Sequence, residues 1–330
     1  MITRLHGAGG KLMQELIKNL ILKNIKLKSA GSLGLEDLDD SSTVNLGDKE
    51  VALTIDGYTV KPIFFPGGDI GKLSVCGTVN DLSCVGAKPL AIALSLIIPE
   101  GFEEEKLEKI IKSINLASKE AEVPIITGDT KVSDGVDDII ITTSGVGIVK
   151  KLVKDSGVKE GDAIIVSGTV GEHGLAILLE REGFEFEGDI KSDVAPLNKM
   201  IEDILDNIEV HAIKDLTRGG LANALNELSE KSRIGMIIEE EKIPIKDEVK
   251  AVCDILGLDP LTIANEGKIV LSVPKDEAEE CLKILKRHKY GKDAEIIGYA
   301  TKEADVVLLK TLVGKRILEP PIGDPIPRVC

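Results

Sequence analysis

Residues 54–89 read TIDGYTVKPIFFPGGDIGKLSVCGTVNDLSCVGAKP, and the fold turns on how that run is parsed. It is entered from VALTI at 51–55, a short apolar, β-rich segment that reads as a buried strand ended by Asp56-Gly57. It is left into AIALSLII at 91–98, a second run of the same kind. Between the two, Gly77, Ser83, Cys84, Gly86 and Ala87 surround Asp81, which puts that carboxylate on a closely packed helix where it needs a partner. A third buried strand is expected at 138–149, DIIITTSGVGIV.

Outward from this block, Leu107, Ile110, Ile111, Ile114, Ala117 and Ala121 recur at helical spacing behind Glu103–Glu105, the signature of a surface helix with one apolar face. Leu12, Leu16, Ile17, Leu20 and Ile21 repeat the pattern near the start. After the polar stretch at 150–162 a second series begins. It comprises a strand at 163–168, helices near 172–182, 195–206 and 219–231, a strand at 268–273, a helix from Asp276, and strands near 294–300 and 305–309. The expected architecture is therefore α/β in the α+β sense, with two lobes at 1–154 and 155–315 followed by a tail at 316–330. A chain of 330 residues exceeds most single cores, and two lobes offer a cleft.

Composition narrows the function. Forty-one basic and fifty-six acidic residues give a net charge of −15, which opposes nucleic acid and anionic lipid. An anionic substrate would need helix N-termini, glycine-rich backbone or a divalent cation to hold it. No run reaches the ~18 residues of a membrane span and the N-terminus lacks a secretion signal, so a cytoplasmic protein is expected. Five cysteines without CxxC spacing indicate neither a disulfide framework nor a zinc site.

The usual nucleotide signatures are missing: Gly71-Lys72 lacks the upstream glycine of a P-loop, and no GxGxxG follows a strand. The candidates are instead aspartates at loop ends: Asp39 and Asp40 in LEDLDDSS, Asp56 in TIDG, Asp81, and Asp129 in ITGDTK. Several such carboxylates suit a hard divalent cation carrying phosphates. Taken singly, LEDLDDSS also reads as a solvated loop, TIDG as a turn and Asp81 as a buried hydrogen-bonding group. HGAGG at 6–10 and KDLTRGGL at 214–221 set glycines ahead of helices, leaving N–H groups for phosphate oxygens, and Arg218 adds a guanidinium fork. Lys131 and Glu266 are candidates for proton transfer or phosphate neutralisation. The four histidines show no metal-ligand spacing, and Cys76, Cys84, Cys253 and Cys281 read as buried thiols in helices.

The end of the chain differs in kind. EPPIGDPIPRVC at 319–330 holds four prolines, which forbid helix and favour an extended arm of about 35 Å at ~3.1 Å per residue. Cys330 at its tip is expected to be a solvent-accessible, swinging carrier thiol.

These residues resemble the hydrogenase maturation factor HypE family, within the superfamily of aminoimidazole ribonucleotide synthetase and selenophosphate synthetase. The likeness runs from HGAGG through DDSS, the 54–89 block, GDTKV, KDLTRGGL and ANEG to PRVC, with Val329 where the family often has Ile. It implies two α/β lobes, a barrel shared across a homodimer, and ATP with Mg²⁺ held by Asp40, Asp56 and Asp81. It further implies nucleotide contacts from Lys61, Asn80, Gly128, Asp129 and Arg218, with Lys131 and Glu266 acting on the nitrogen of a carbamoyl group carried by Cys330. The implied reaction is dehydration of that group to a thiocyanate, with the carbamoyltransferase HypF loading the thiol and a HypC–HypD complex receiving the cyanide. The alternatives are a sister synthetase or kinase acting on a diffusible substrate, and a non-catalytic nucleotide-gated scaffold.

Overall fold

The computed structural model describes residues 2–7, 10–184, 188–323 and 325–330. Helix α1 (Gly10–Leu16) continues into a wider helical turn over Ile17–Leu22, none of whose residues is buried. The apolar spacing at Leu20 and Ile21 therefore marks an uncovered face rather than a core face.

Strands β1 (Ser42–Leu46) and β2 (Lys49–Tyr58) form a hairpin, and the short pair β3 (Phe64–Phe65) and β4 (Gly68–Asp69) leads into helix α2 (Ile70–Cys84). Asp69 caps that helix, its Oδ1 accepting from the Gly71 and Lys72 N–H groups at 2.8 and 3.0 Å. Nearly every α2 residue is buried, which the small side chains permit. A Cβ at Gly77 would lie 2.3 Å from the Tyr58 hydroxyl, so only glycine lets β2 come so close. Strand β5 (Ala87–Pro99), helix α3 (Glu104–Ala121), β6 (Ile125–Ser133) and β7 (Ile140–Val149) complete this half. The sheet order is β1-β2-β7-β5-β6, antiparallel except for the parallel pair β5–β6.

The second half contains β8 (Ala163–Val166), α4 (Glu172–Glu182), α5 (Asn198–Asn207), β9 (Ala212–Asp215), α6 (Gly220–Ser232) and β10 (Gly235–Glu239). Helix α7 (Asp247–Leu256), β11 (Ile269–Val273), α8 (Ala278–Arg287), β12 (Glu295–Thr301), β13 (Val307–Thr311) and β14 (Gly314–Ile317) follow. Its seven strands are ordered β14-β13-β10-β12-β8-β11-β9. The segments expected from periodicity are present, with boundaries shifted by a few residues. Strands β1, β6, β9, β10 and β14 go beyond the expectation, because each is polar or carries an apolar run of three residues or fewer. Among the described residues, no helix is long and apolar enough to cross a membrane.

The main apolar cluster joins the halves: Tyr58, Val60, Phe65 and Leu73 of the first meet Leu175, Ile177, Val249 and Ile263 of the second. Ile326 and Val329 of the tail belong to the same cluster, each only 1% exposed. Arg328 between them has φ +60°, a left-handed turn that ends any extended run. The tail is thus docked between the lobes, and Cys330 is half-buried where a free arm was expected. Apolar side chains three residues apart outweigh the extended preference that the prolines impose.

Candidate functional site

Strand β2 points Thr54, Asp56 and Tyr58 toward α2, because alternate residues share one face of a strand. Thr54 Oγ1 donates to Asp81 Oδ2 at 2.9 Å, and the Tyr58 hydroxyl donates to Asp56 Oδ2 at 3.2 Å. Asp40 arrives on the loop before β1 and meets Lys214 of β9, whose Nζ stands 2.5 Å from Asp40 Oδ1. Lys214 also contacts Asp155 at 3.1 Å and Glu227 at 3.3 Å. Lys231 ties Asp39 to Asp155 at 2.8 and 2.7 Å, so two lysines hold the aspartate loop against the second lobe. Glu266 precedes β11, and its N–H donates to Asp193 Oδ1 at 3.0 Å while Lys268 holds the other Asp193 oxygen at 3.1 Å.

These groups open onto a cleft of about 270 Å³ lined by Asp40, Asp56, Asp81, Asp215, Glu266 and Cys330. A neighbouring cavity of about 530 Å³ shares Gly57, Arg218 and Cys330 with it. Acidic crowding sets the electrostatics. Burial, reinforced by the Asp56, Asp215 and Asp40 charges, pushes Asp81 well above the usual carboxylate range. Burial does the same to Asp40 against the opposing pull of Lys214, and to Glu266 with help from Asp215 and Asp193. Asp215 is raised to about 6, by burial first and by Asp56 and Asp155 over the opposition of Lys214.

Two buried carboxylate oxygens, Asp40 Oδ2 and Glu266 Oε1, have no hydrogen-bond partner. Such orphaned oxygens, in a set of hard donors whose charges repel one another, fit a divalent cation. Among the described residues, no three carboxylate, thiol or imidazole groups gather closely enough to hold a metal ion alone. The trio Asp40, Asp56 and Asp81 is therefore not a ready-made cage. The arrangement suits an ion such as Mg²⁺, which binds through one or two carboxylates and completes its shell with water and phosphate oxygens.

The expected site residues divide into two groups. Asp40, Asp56, Asp81, Arg218, Glu266 and Cys330 line one cleft. Asn80 lies behind it as a lobe-to-lobe tie, its Nδ2 donating to the Ala195 carbonyl at 3.0 Å and its Oδ1 accepting from the Leu197 N–H at 2.8 Å. Lys61 points away to Asp138 at 3.5 Å, while its N–H donates to the Arg328 carbonyl. Gly128, Asp129 and Lys131 lie on β6, where Lys131 pairs with Asp129 at 2.8 Å and its side chain is 70% exposed. Paired positions Gly57, Thr142, Ser95 and Asp129 cross the sheet in one row, so Asp129 is three strands, roughly 14 Å, from β2. Asp129 and Lys131 also share the face opposite Asp56. One chain does not bring them to the carboxylates.

Of HGAGG, Ala8 and Gly9 fall outside the described residues, and the Gly7 carbonyl accepts from Arg218 Nη1 at 3.3 Å. Helix α6 begins at Gly220 as KDLTRGGL implied, with no side-chain cap on its first turn. A Cβ at Gly220 would lie 2.5 Å from the Ile263 carbonyl, and its φ of +61° also demands glycine. Lys214, Asp215, Asp155 and Lys231 join the site from outside the expected set. Lys214-Asp215 opens the KDLTRGGL run a few residues ahead of those glycines and is the available signal, whereas Asp155 lies in the polar stretch at 150–162.

Comparison with known proteins is consistent along the chain. Residues 38–149 match the family model of the AIR synthase related protein N-terminal domain, and residues 159–310 match that of its C-terminal domain. A putative hydrogenase expression/formation protein of Methanocaldococcus jannaschii is 69% identical over 333 residues, covering 100% of this chain and 99% of its own. Carbamoyl dehydratase HypE of Rhizobium leguminosarum bv. viciae is 40% identical, covering 98% and 94%. Among solved structures, a HypE–HypF complex matches with a TM-score of 0.86 at 45% identity, covering 93% of this chain and 99% of that one. HypE in complex with ATP matches with a TM-score of 0.83 at 38% identity, covering 98% of both.

Proposed function

Because this chain belongs to the HypE carbamoyl dehydratase family of hydrogenase maturation proteins, we propose that it uses ATP to turn an S-carbamoyl group on its own Cys330 into a thiocyanate. The observation that carries this reading is that Cys330, Glu266 and the Asp40–Asp56–Asp81 wall line one cleft.

A thiocarbamate, S–C(=O)–NH₂, loses water poorly because oxide is a bad leaving group. Transfer of the γ-phosphoryl of ATP to the carbamoyl oxygen forms the new O–P bond, breaks the bond to ADP, and takes one proton from nitrogen. Loss of the second proton then expels phosphate and leaves Cys330–S–C≡N. Glu266 faces the cleft with a buried, unpartnered oxygen, and burial, with the Asp215 and Asp193 charges, raises its proton affinity against the weaker pull of Arg218, which suits it to take a proton from that nitrogen. Asp40, Asp56 and Asp81 would hold Mg²⁺, which when bound neutralises phosphate charge in an otherwise acidic cleft. The docked tail keeps water from the activated intermediate.

A homodimer accounts for the residues that one chain leaves aside. The open face of the first sheet exposes Leu53 and Ile55, and the edge strand β6 exposes Ile126 and Val132. A second copy closing that sheet into a shared barrel would cover them and would bring its Gly128, Asp129 and Lys131 to this cleft. The functional units are then residues 1–154 for nucleotide binding and dimerisation, 155–315 as the second lobe, and 316–330 as the carrier tail. The protein works in the cytoplasm, where a carbamoyltransferase, HypF, loads the thiol and a HypC–HypD complex receives the cyanide. The test is the mass of the C-terminal peptide after carbamoylation and ATP: the adduct should lose the mass of one water. Cys330→Ala should form no thiocyanate while still binding ATP, and full product from that variant refutes the carrier role.

A further inference from the structure

Beside its buried side chains and Arg328 Nε, which donates to the Thr59 carbonyl at 3.2 Å, the docked tail is held by its main chain. The Pro327 carbonyl accepts from Arg181 Nη1 at 2.6 Å, Arg328 from the Lys61 N–H at 3.1 Å, Val329 from His173 Nε2 at 2.8 Å and Cys330 from Thr59 Oγ1 at 3.4 Å. Two of these donors belong to α4 and two to the segment after β2, so four consecutive carbonyls are gripped from both lobes. Arg181, Lys61 and Thr59 all line cavities at the rim, where water can replace them. His173 is different, being completely buried beneath the tail.

Its ring is fixed from behind. Nδ1 lies 2.7 Å from Ser192 Oγ, which itself accepts from the Val194 N–H at 3.1 Å, and the Ser192 N–H donates to the Pro66 carbonyl at 2.8 Å. The Phe65 ring meets the imidazole edge-on at 5.5 Å. A carbonyl has no proton to give, so Nε2 carries the hydrogen that reaches Val329, and Nδ1 accepts from the Ser192 hydroxyl. With the tail docked, the ring is therefore held in one tautomer and one orientation. Val329 is the residue whose carbonyl leads directly into Cys330, so this contact fixes how deep the thiol stands.

We propose that His173 is the latch of the C-terminal tail, a positioning residue that holds Val329 and thereby sets the Cys330 thiol at its working depth in the cleft. The proposal rests on the reading of Cys330 as carrier for its meaning, but its test does not require the chemistry. The other four cysteines are buried, so a thiol reagent reads Cys330 in the folded chain. A maleimide carrying a long polyethylene glycol chain reacts faster with the released tail than with the half-buried docked thiol, so its rate reports release.

In the full-length protein, His173→Leu should speed this labelling about two- to ten-fold, the shift expected from one lost hydrogen bond. His173→Gln, whose amide nitrogen reaches a similar point, should restore most of the slow rate. Affinity for Mg·ATP should be unchanged in both, and turnover of the carbamoylated protein should fall in kcat with KM for ATP preserved. Labelling of His173→Leu at the parent rate, or of His173→Gln as fast as His173→Leu, overturns the latch. If His173→Leu does not fold, Ser192→Ala takes its place: it frees the ring and should speed labelling in the same direction, and an unchanged rate is equally fatal. If labelling responds while Cys330→Ala still yields thiocyanate, the carrier reading falls and the latch stands.

Discussion

Asp215→Asn should stabilise the protein when nucleotide and metal are absent, although it removes a carboxylate from the cleft. Asp215 is buried at the end of β9 and titrates at about 6 rather than at 3.8, because burial and then the Asp56 and Asp155 charges oppose its ionisation. The folded state thus holds this proton more tightly than the unfolded chain. Below the unfolded value both states are protonated and there is no penalty; the penalty grows as pH rises from 3.8 and is complete above about 6. A shift of about two units corresponds to about 3 kcal/mol at neutral pH, or roughly 5 °C in Tm for a chain of this size. Asparagine keeps the shape and removes the charge. Thermal unfolding in a chelator should therefore show the variant several degrees above the parent at pH 7.5 and level with it near pH 4. Addition of Mg·ATP should stabilise the variant less than the parent, since the relieved repulsion was what a cation would have relieved. A variant less stable than the parent at pH 7.5 in chelator, or a gain that does not change with pH, refutes the reasoning.

Asp81→Asn should weaken Mg·ATP binding at least about tenfold, on the order of 1.4 kcal/mol; unchanged affinity by calorimetry removes Asp81 from the metal set. Lys131→Ala and Glu266→Gln should each abolish thiocyanate formation, yet mixing the two proteins under subunit exchange should recover about a quarter of the parent activity, because half the sites in half the dimers are then complete. No recovery would show that Lys131 serves the cleft of its own chain.

Where the sequence carried apolar periodicity, it was enough to locate structure. VALTI, AIALSLII and the Ile110–Ala121 face became β2, β5 and α3, and the small residues around Asp81 became a helix buried on nearly all sides. Three lining carboxylates of the candidate cleft, Asp56, Asp81 and Glu266, were legible from their place at a strand end or amid glycines, whereas Asp129, in a like setting, lies away from it on β6. The site was not legible where meaning came from a distant partner. Asp155 looked like any charge in a polar linker until Lys214 and Lys231 converged on it across two other elements. Strand β6 was hidden for a related reason: ITGDTK has no buried face in one chain, and so no alternation to betray it.

The tail shows most clearly what composition leaves undecided. Its prolines exclude helix, but whether such a segment docks depends on a near-balance that no residue count reveals. Burying Ile326 and Val329 contributes ~1.5–3 kcal/mol each, and five hydrogen bonds, the Arg328 Nε to Thr59 carbonyl bond among them, add ~0.5–1.5 kcal/mol apiece. Ordering residues 326–330 costs ~1–2 kcal/mol per residue, less at Pro327, whose φ is already fixed. The terms cancel to within a few kcal/mol, so docked and released tails lie close in free energy. The proposed carrier role, in which the thiol is loaded by one protein, reacts in a closed cleft and delivers to another, needs that closeness. A tail anchored by one more large apolar residue would hold Cys330 in the cleft and slow its loading, whereas Val329→Ala would favour release and slow the chemistry.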